Sequence, residues 1–117
     1  MNYDLNLNDR PFQAIKAGTK KIEGRTPSDE NDKRYDEMKS GDTLTFTNKI
    51  TDEKMICEVL FVNKYLNTRL MLEAEGTKNV LSSGLDVEGG IQSYNKLEGY
   101  EERIKKFGIY AIGVKVI

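Results

Sequence analysis

The stretch that most constrains the fold is Met55-Ile-Cys-Glu-Val-Leu-Phe-Val62, an apolar run broken by a single charge at Glu58. It is too short for a buried helix and rich in β-branched and aromatic residues. It reads as a strand apolar on nearly both faces, one that is central in a sheet or closes a barrel. Just before it, Ser40-Gly41-Asp42 is a turn signal, and Thr43–Asn48 places Leu44 and Phe46 on one face. Thr51-Asp52-Glu53 is the expected tip of the hairpin joining this strand to Lys54–Asn63. After the run the period changes. Leu66, Leu70 and Ala74 fall four apart with Met71 beside them, predicting a helix from about Asn67 to Glu75 that Gly76 ends.

The remaining segments build around that hairpin. Tyr3, Leu5 and Leu7 alternate with polar residues, as in a half-buried strand. Asn8 or Asp9 can cap a following helix, with Pro11 in its first turn, Phe12 and Ile15 on one face and Gly18 as its stop. A strand over Lys20–Arg25 comes next, and then a polar stretch from Thr26 to Ser40. That stretch is expected to be a mobile loop with one helical turn near Tyr35–Met38. Thr77–Gly84 reads as a loop. Val87, Ile91 and Tyr94 suggest a short helix weakened by Gly89-Gly90. Glu101–Phe107 reads as another helix, with Ile104 and Phe107 inward. The tail from Ile109 to Ile117 is a closing strand with Tyr110, Ile112, Val114 and Val116 on one face. Gly113 leaves room there for a bend or a closely packed neighbour. Strands and helices do not alternate regularly, so the class is α+β: a small mixed or barrel-like sheet with helices at its side, one domain over residues 1–117.

Composition narrows the chemistry. The chain has no histidine, which removes the usual general base, the Ser-His-Asp and Cys-His mechanisms, and Cys/His zinc sites. A lone Cys57 excludes an internal disulfide and, inside an apolar strand, reads as a buried thiol. With a net charge of -1, no global basic field draws the protein to nucleic acid, so any such contact is local. No leader and no membrane-spanning run is read from the sequence, and a cytoplasmic location is expected.

The densest cluster of useful groups is Gly18-Thr-Lys-Lys-Ile-Glu-Gly-Arg25. In an extended segment Ile22 points to a core while Lys21, Glu23 and Arg25 point the other way, with Lys20 at the strand mouth. Read alone, such charges most often neutralise one another on a solvated face. Arg25 offers a planar fork suited to phosphate or a base edge. Glu23 can accept from an exocyclic amino group; Lys20 can hold phosphate or act as a base if desolvated, and Arg25 and Lys20 together can hold phosphate or orient Glu23.

Four features together resemble the ASCH family (activating-signal-cointegrator homology), a branch of the PUA-like β-barrels. The passage Ile15-Lys-Ala-Gly-Thr-Lys-Lys-Ile-Glu-Gly-Arg25 is similar to the family's G-x-K-x-x-E-x-R. Lys39-Ser-Gly-Asp42 runs into Leu44-Thr-Phe46. Tyr65-Leu-Asn-Thr-Arg-Leu-Met-Leu-Glu-Ala-Glu-Gly76 resembles the Tyr-led helix after the hairpin. Gly89-Gly-Ile-Gln-Ser-Tyr94 is followed by Gly99-Tyr-Glu-Glu and Phe107-Gly-Ile-Tyr-Ala-Ile112. Leu81-Ser82 departs from the Leu-Pro of many relatives.

The resemblance implies a small PUA-like mixed β-barrel with two to four short helices packed beside it, and a cleft lined by Lys20, Glu23 and Arg25 and flanked by Tyr65 and Tyr94. It implies recognition of RNA or a nucleotide or nucleoside. It also reaches a bacterial branch that hydrolyses acetylcytidine with a lysine, a threonine and a glutamate. Lys20 falls on that lysine, but Glu23 stands at the threonine position, and the branch's glutamate has no fixed counterpart here, although Glu73 and Glu75 lie in the relevant helix. Lys20 and Glu23 are therefore the catalytic candidates if there is turnover. Metal-dependent RNA cleavage is a further association of the family, although no acidic cluster is evident. No cofactor and no metal is expected. A protein partner, suggested by the cointegrator name, is the remaining alternative.

Overall fold

The computed structural model describes residues 1–117. The chain runs β1 (Asn2–Leu7), α1 (Asp9–Ala17), β2 (Ile22–Arg25), α2 (Arg34–Glu37), β3 (Thr43–Asn48), β4 (Lys54–Tyr65), α3 (Thr68–Glu75), α4 (Thr77–Val80), α5 (Val87–Asn95), α6 (Tyr100–Phe107) and β5 (Ile109–Val116). The strands form one mixed sheet in the order β1-β3-β4-β5-β2. β1 lies parallel to β3, and every other pair is antiparallel. The first two strands of the chain are thus the two edges. The sheet curls until those edges approach: the Arg25 guanidinium on β2 donates from Nη2 to the Asn6 carbonyl of β1 at 2.6 Å. The result is an open half-barrel, with a seam where a closed barrel would have one more ladder.

Two apolar clusters fill the two sides of the sheet. The larger takes Leu5 and Leu7 from β1, Leu44 and Phe46 from β3 and Ile112 from β5, and α1 covers it with Phe12 and Ile15. Those two helical side chains, each contributing about 1.5–3 kcal/mol on burial, fix α1 across the hollow of the half-barrel. The smaller cluster joins Ile22 of β2 and Ile109 of β5 to Met71 and Leu72 of α3, Tyr94 of α5 and Ile104 of α6.

β4 serves both clusters because it is bulged. Its register jumps from Val59–Val114 to Phe61–Gly113, leaving Leu60 without a partner. Before the bulge Met55, Cys57 and Val59 face the larger cluster; after it Phe61 packs on the smaller and Val62 on the larger. One extra residue switches the parity of a strand in this way. The run is central as expected, but it is not covered on both faces throughout, since Ile56 is 52% and Leu60 42% exposed. Gly113 accommodates Phe61: a Cβ at that position would lie 2.2 Å from the ring.

Several expectations need correction. Four helices of two turns or more form, as expected, together with two single turns, α2 and α4, and α4 occupies part of the segment read as a loop. In α3 the inward residues are Thr68, Met71 and Leu72, whereas Leu66 and Leu70 point to solvent. Asn67 caps this helix by accepting from the Leu70 N–H, which sets its rotation. α5 forms across Gly89-Gly90, its first turn held by the Asp86 carboxylate accepting from the Gly89 N–H. The polar stretch from Thr26 to Ser40 is anchored: Tyr35 and Met38 reach the larger cluster, and Asp32 accepts from the Ser28 N–H and pairs with Arg34. No helix is long and apolar enough to cross a membrane.

Candidate ligand-binding cleft

The seam between β1 and β2 opens into a cleft of about 590 Å³, within the range of small-ligand pockets. The end of β1 and start of α1 make one bank, through Asn6, Asn8 and Arg10. β2 makes the floor with Lys20, Glu23, Gly24 and Arg25. The loop after α4 and the helices α5 and α6 make the far bank, through Ser82, Tyr94 and Tyr100.

Glu23 is the centre of the floor. Its neighbour Ile22 enters the smaller cluster, so Glu23 turns the opposite way, into the seam. Its Oε2 accepts from Arg25 Nε at 2.6 Å, and its Oε1 lies 3.4 Å from the Lys20 ammonium. Burial alone would raise its pKa, but Arg25 and Lys20 outweigh that and hold it below the ordinary carboxylate range. Glu23 is therefore an ionised acceptor on both oxygens. Arg25 is pushed up, since the attraction of Glu23 exceeds the cost of its own burial.

Lys20 lies just before β2 rather than in it, and only 4% of it is exposed. Its ammonium donates to the Ile22 carbonyl at 2.6 Å and to the Val80 carbonyl at the end of α4, besides facing Glu23. Burial pulls its pKa down and the nearby Glu23 partly restores it. Three donors meet three acceptors, which leaves no free N–H for a phosphate. Of the two roles expected of Lys20, holding phosphate or orienting Glu23, this geometry favours the second. Lys20 and Arg25 cap outward carbonyls of the seam, on Ile22 and Asn6, and fix the rotamer of Glu23 between them.

Tyr94 reaches the cleft from α5, its hydroxyl seated over Gly24. A Cβ on Gly24 would stand 2.4 Å from that oxygen, so the glycine is what lets the tyrosine close against the floor. Burial pushes the Tyr94 hydroxyl pKa up, so it stays protonated. The residue is 8% exposed, and its ring lies beside that of Tyr100 with centroids 6.3 Å apart. It forms a wall rather than an open stacking face.

Tyr65 is elsewhere. It sits at the end of β4 in a separate groove with Lys64, Phe107 and Tyr110, and its hydroxyl donates to Glu75 Oε2 at 2.5 Å. Burial and that carboxylate raise its pKa to about 12. Glu75 also accepts from Asn63, and neither it nor Glu73 lines the cleft. Glu75 and Lys20 instead line a second pocket together, on the other side of the start of β2. Nowhere in the chain do three Asp, Glu or Cys side chains gather as a potential metal site.

The sequence reading missed the rim. Arg10, Lys49 and Lys96 stand around the cleft and take part in no salt bridge. In the sequence Tyr100 stands out only within Gly99-Tyr-Glu-Glu. With Lys20 and Arg25, the rim gives five cations against two acids, Glu23 and Glu98. Their separation along the chain, from Arg10 to Lys96, hides this concentration in a sequence of interleaved charge.

The sequence profile described as ASCH domain matches residues 5–117. The crystal structure of hypothetical protein PH0355 is similar over 100% of both chains, with 32% identity and a TM-score of 0.83. The solution structure of protein PF0455 from Pyrococcus furiosus is similar over 100% of this chain and 98% of that one, with 33% identity and a TM-score of 0.74. No curated protein matches the chain.

Proposed function

The chain belongs to the ASCH domain family, and from that premise we propose that its seam cleft binds a nucleobase-containing ligand, as a nucleotide or as a segment of single-stranded RNA. The observation that carries this is the local charge: five cations and two acids line one cleft of a chain whose net charge is -1. Arg10, Lys49 and Lys96 at the rim suit phosphate, while the ionised Glu23 on the floor suits a base N–H. Single-stranded RNA offers unpaired base edges to a concave site, whereas duplex offers mainly its backbone to a broad basic face that this protein lacks. Tyr94 and Tyr100 give the far wall apolar area for a base to lie against.

Ligand-detected NMR on nucleosides, nucleoside monophosphates and short single-stranded RNAs tests the proposal, with acetylcytidine included. Binding to the wild type should fall in a Lys49→Ala, Lys96→Ala double variant, both changes being on exposed residues that the fold does not need. Binding unaffected by that variant would put the ligand elsewhere. An absence of binding by any compound would sink the proposal and turn the search to a protein partner. Acetate released from acetylcytidine would instead establish an enzyme.

A further inference from the structure

We infer that the cleft selects guanine, through the two oxygens of Glu23. The inference rests on the nucleobase reading and adds which base is read. Glu23 is fixed on both sides, with Oε2 on Arg25 Nε at 2.6 Å and Oε1 facing Lys20 at 3.4 Å. Each carboxylate oxygen has two lone pairs, and each has spent one on a cation. One lone pair is left on each oxygen of a cleft-lining group that cannot donate. The contact to Lys20 is the looser, because that ammonium is committed to the carbonyls of Ile22 and Val80.

A pair of adjacent acceptors has one complement among the four pairing edges. Guanine presents N1–H and the 2-amino group next to each other, both donors. Cytosine and adenine each present one amino group beside an acceptor ring nitrogen, whose lone pair would face a carboxylate oxygen. Uracil presents one N–H between two carbonyls. The guanidinium of Arg25 adds positive charge beside Oε2, where the O6 carbonyl of a guanine bound by N1–H would lie. Rotation of Glu23 to suit another base would break its bond to Arg25 and move a charge within a site where its side chain is 8% exposed. That fixed orientation is what converts an acceptor into a selector.

The expected discrimination is moderate. Rejecting a wrong base costs most when it strands a buried polar group. Here Lys20 and Arg25 keep Glu23 neutralised whatever is bound. The preference should therefore sit in the lower part of the range for bidentate readout, about ten- to thirtyfold.

The test is a calorimetric or NMR titration of the wild-type chain with GMP, IMP, N1-methyl-GMP, AMP, CMP and UMP. GMP should bind about tenfold or more tightly than AMP, CMP and UMP. IMP, which lacks only the 2-amino group, should fall between, and N1-methyl-GMP should lose the preference. Glu23→Gln, which replaces one acceptor by a donor, should level the series if its melting curve shows it folded. If it is unfolded, the series on the wild type still decides. Equal binding of all the nucleotides, or tighter binding of AMP or CMP, overturns the guanine inference and leaves the cleft proposal standing. Binding by none of them removes both.

Discussion

Lys20 has three ammonium hydrogens and three acceptors around them, and two of those acceptors are main-chain carbonyls. This explains how a lysine can be 4% exposed. Removing it strands the carbonyls of Ile22 and Val80 and leaves Glu23 with one cation. Lys20→Met should therefore destabilise the chain by about 3–5 kcal/mol, the usual cost of breaking a buried pair, read from urea unfolding. A loss under about 1 kcal/mol would mean that the ammonium is hydrated and paired weakly. Glu23 sets a pH dependence of definite sign. Its pKa in the fold is below the ordinary 4.5, so the unfolded chain takes up a proton first as pH falls. Its contribution to stability is complete above pH 4.5 and is lost as the pH drops through the folded value. Urea midpoints should accordingly be flat from neutrality to about pH 5 and fall below it, less steeply in Glu23→Gln. Asp9 and Asp42, also held low by hydrogen bonds, add to the same slope in both proteins. At this scale the sequence announced the cluster, because Lys20, Glu23 and Arg25 lie within six residues. It left two roles open for the cations, holding phosphate or orienting Glu23, and could not choose between them. One of the two carbonyls that accept from Lys20, and the one that accepts from Arg25 Nη2, belong to Val80 and Asn6, distant in the chain. Tyr65 lies outside the cleft because it ends β4 opposite Ile109, in the groove where its hydroxyl meets Glu75.

Periodicity made most elements readable, and where it failed a neighbouring element had intervened. The alternation of β1 and β3 predicted their inward faces because one side of each packs on a single cluster. For β4 alternation could not suffice, since the bulge at Leu60 shifts every later side chain by one face. The helical spacing of Leu66, Leu70 and Ala74 favoured the wrong stripe of α3, because Asn67 capping starts the helix only at Thr68. The bulge and Gly113 are one device. Phe61 reaches the smaller cluster only if the opposite strand carries no side chain where its ring lies. Gly113→Ala should thus cost about 1–3 kcal/mol by overpacking. Adding Phe61→Leu should recover part of that cost, because the clash is with the ring edge. Thermal or urea unfolding of the two single variants and the double variant gives the coupling. Additive losses would mean that β5 yields without involving Phe61.

The half-barrel puts its two free edges, β1 and β2, on either side of one cleft. Free edges are ordinarily a hazard, because unpaired main-chain groups invite another strand. Here the carbonyls of Asn6 and Ile22 accept from Arg25 and Lys20, and α5 covers the gap with Tyr94 over Gly24. The open seam is what provides a polar concavity in so small a protein, and the charges that close it are those that orient Glu23. The same architecture fixes how binding should respond to salt. A broadly basic protein releases many counterions and loses affinity steeply. This chain has net charge -1 and offers phosphate only the three unpaired rim cations Arg10, Lys49 and Lys96. For a single-stranded RNA of a few nucleotides, the slope of log K against log salt should be about -2, from roughly -0.7 per neutralised phosphate. Lys49→Ala should reduce it to about -1.4 with the base preference unchanged. A slope near zero would mean that base contacts alone hold the ligand, which would withdraw the phosphate role from the rim. A slope steeper than about -4 would require contacts outside the cleft and would move the interface onto another face.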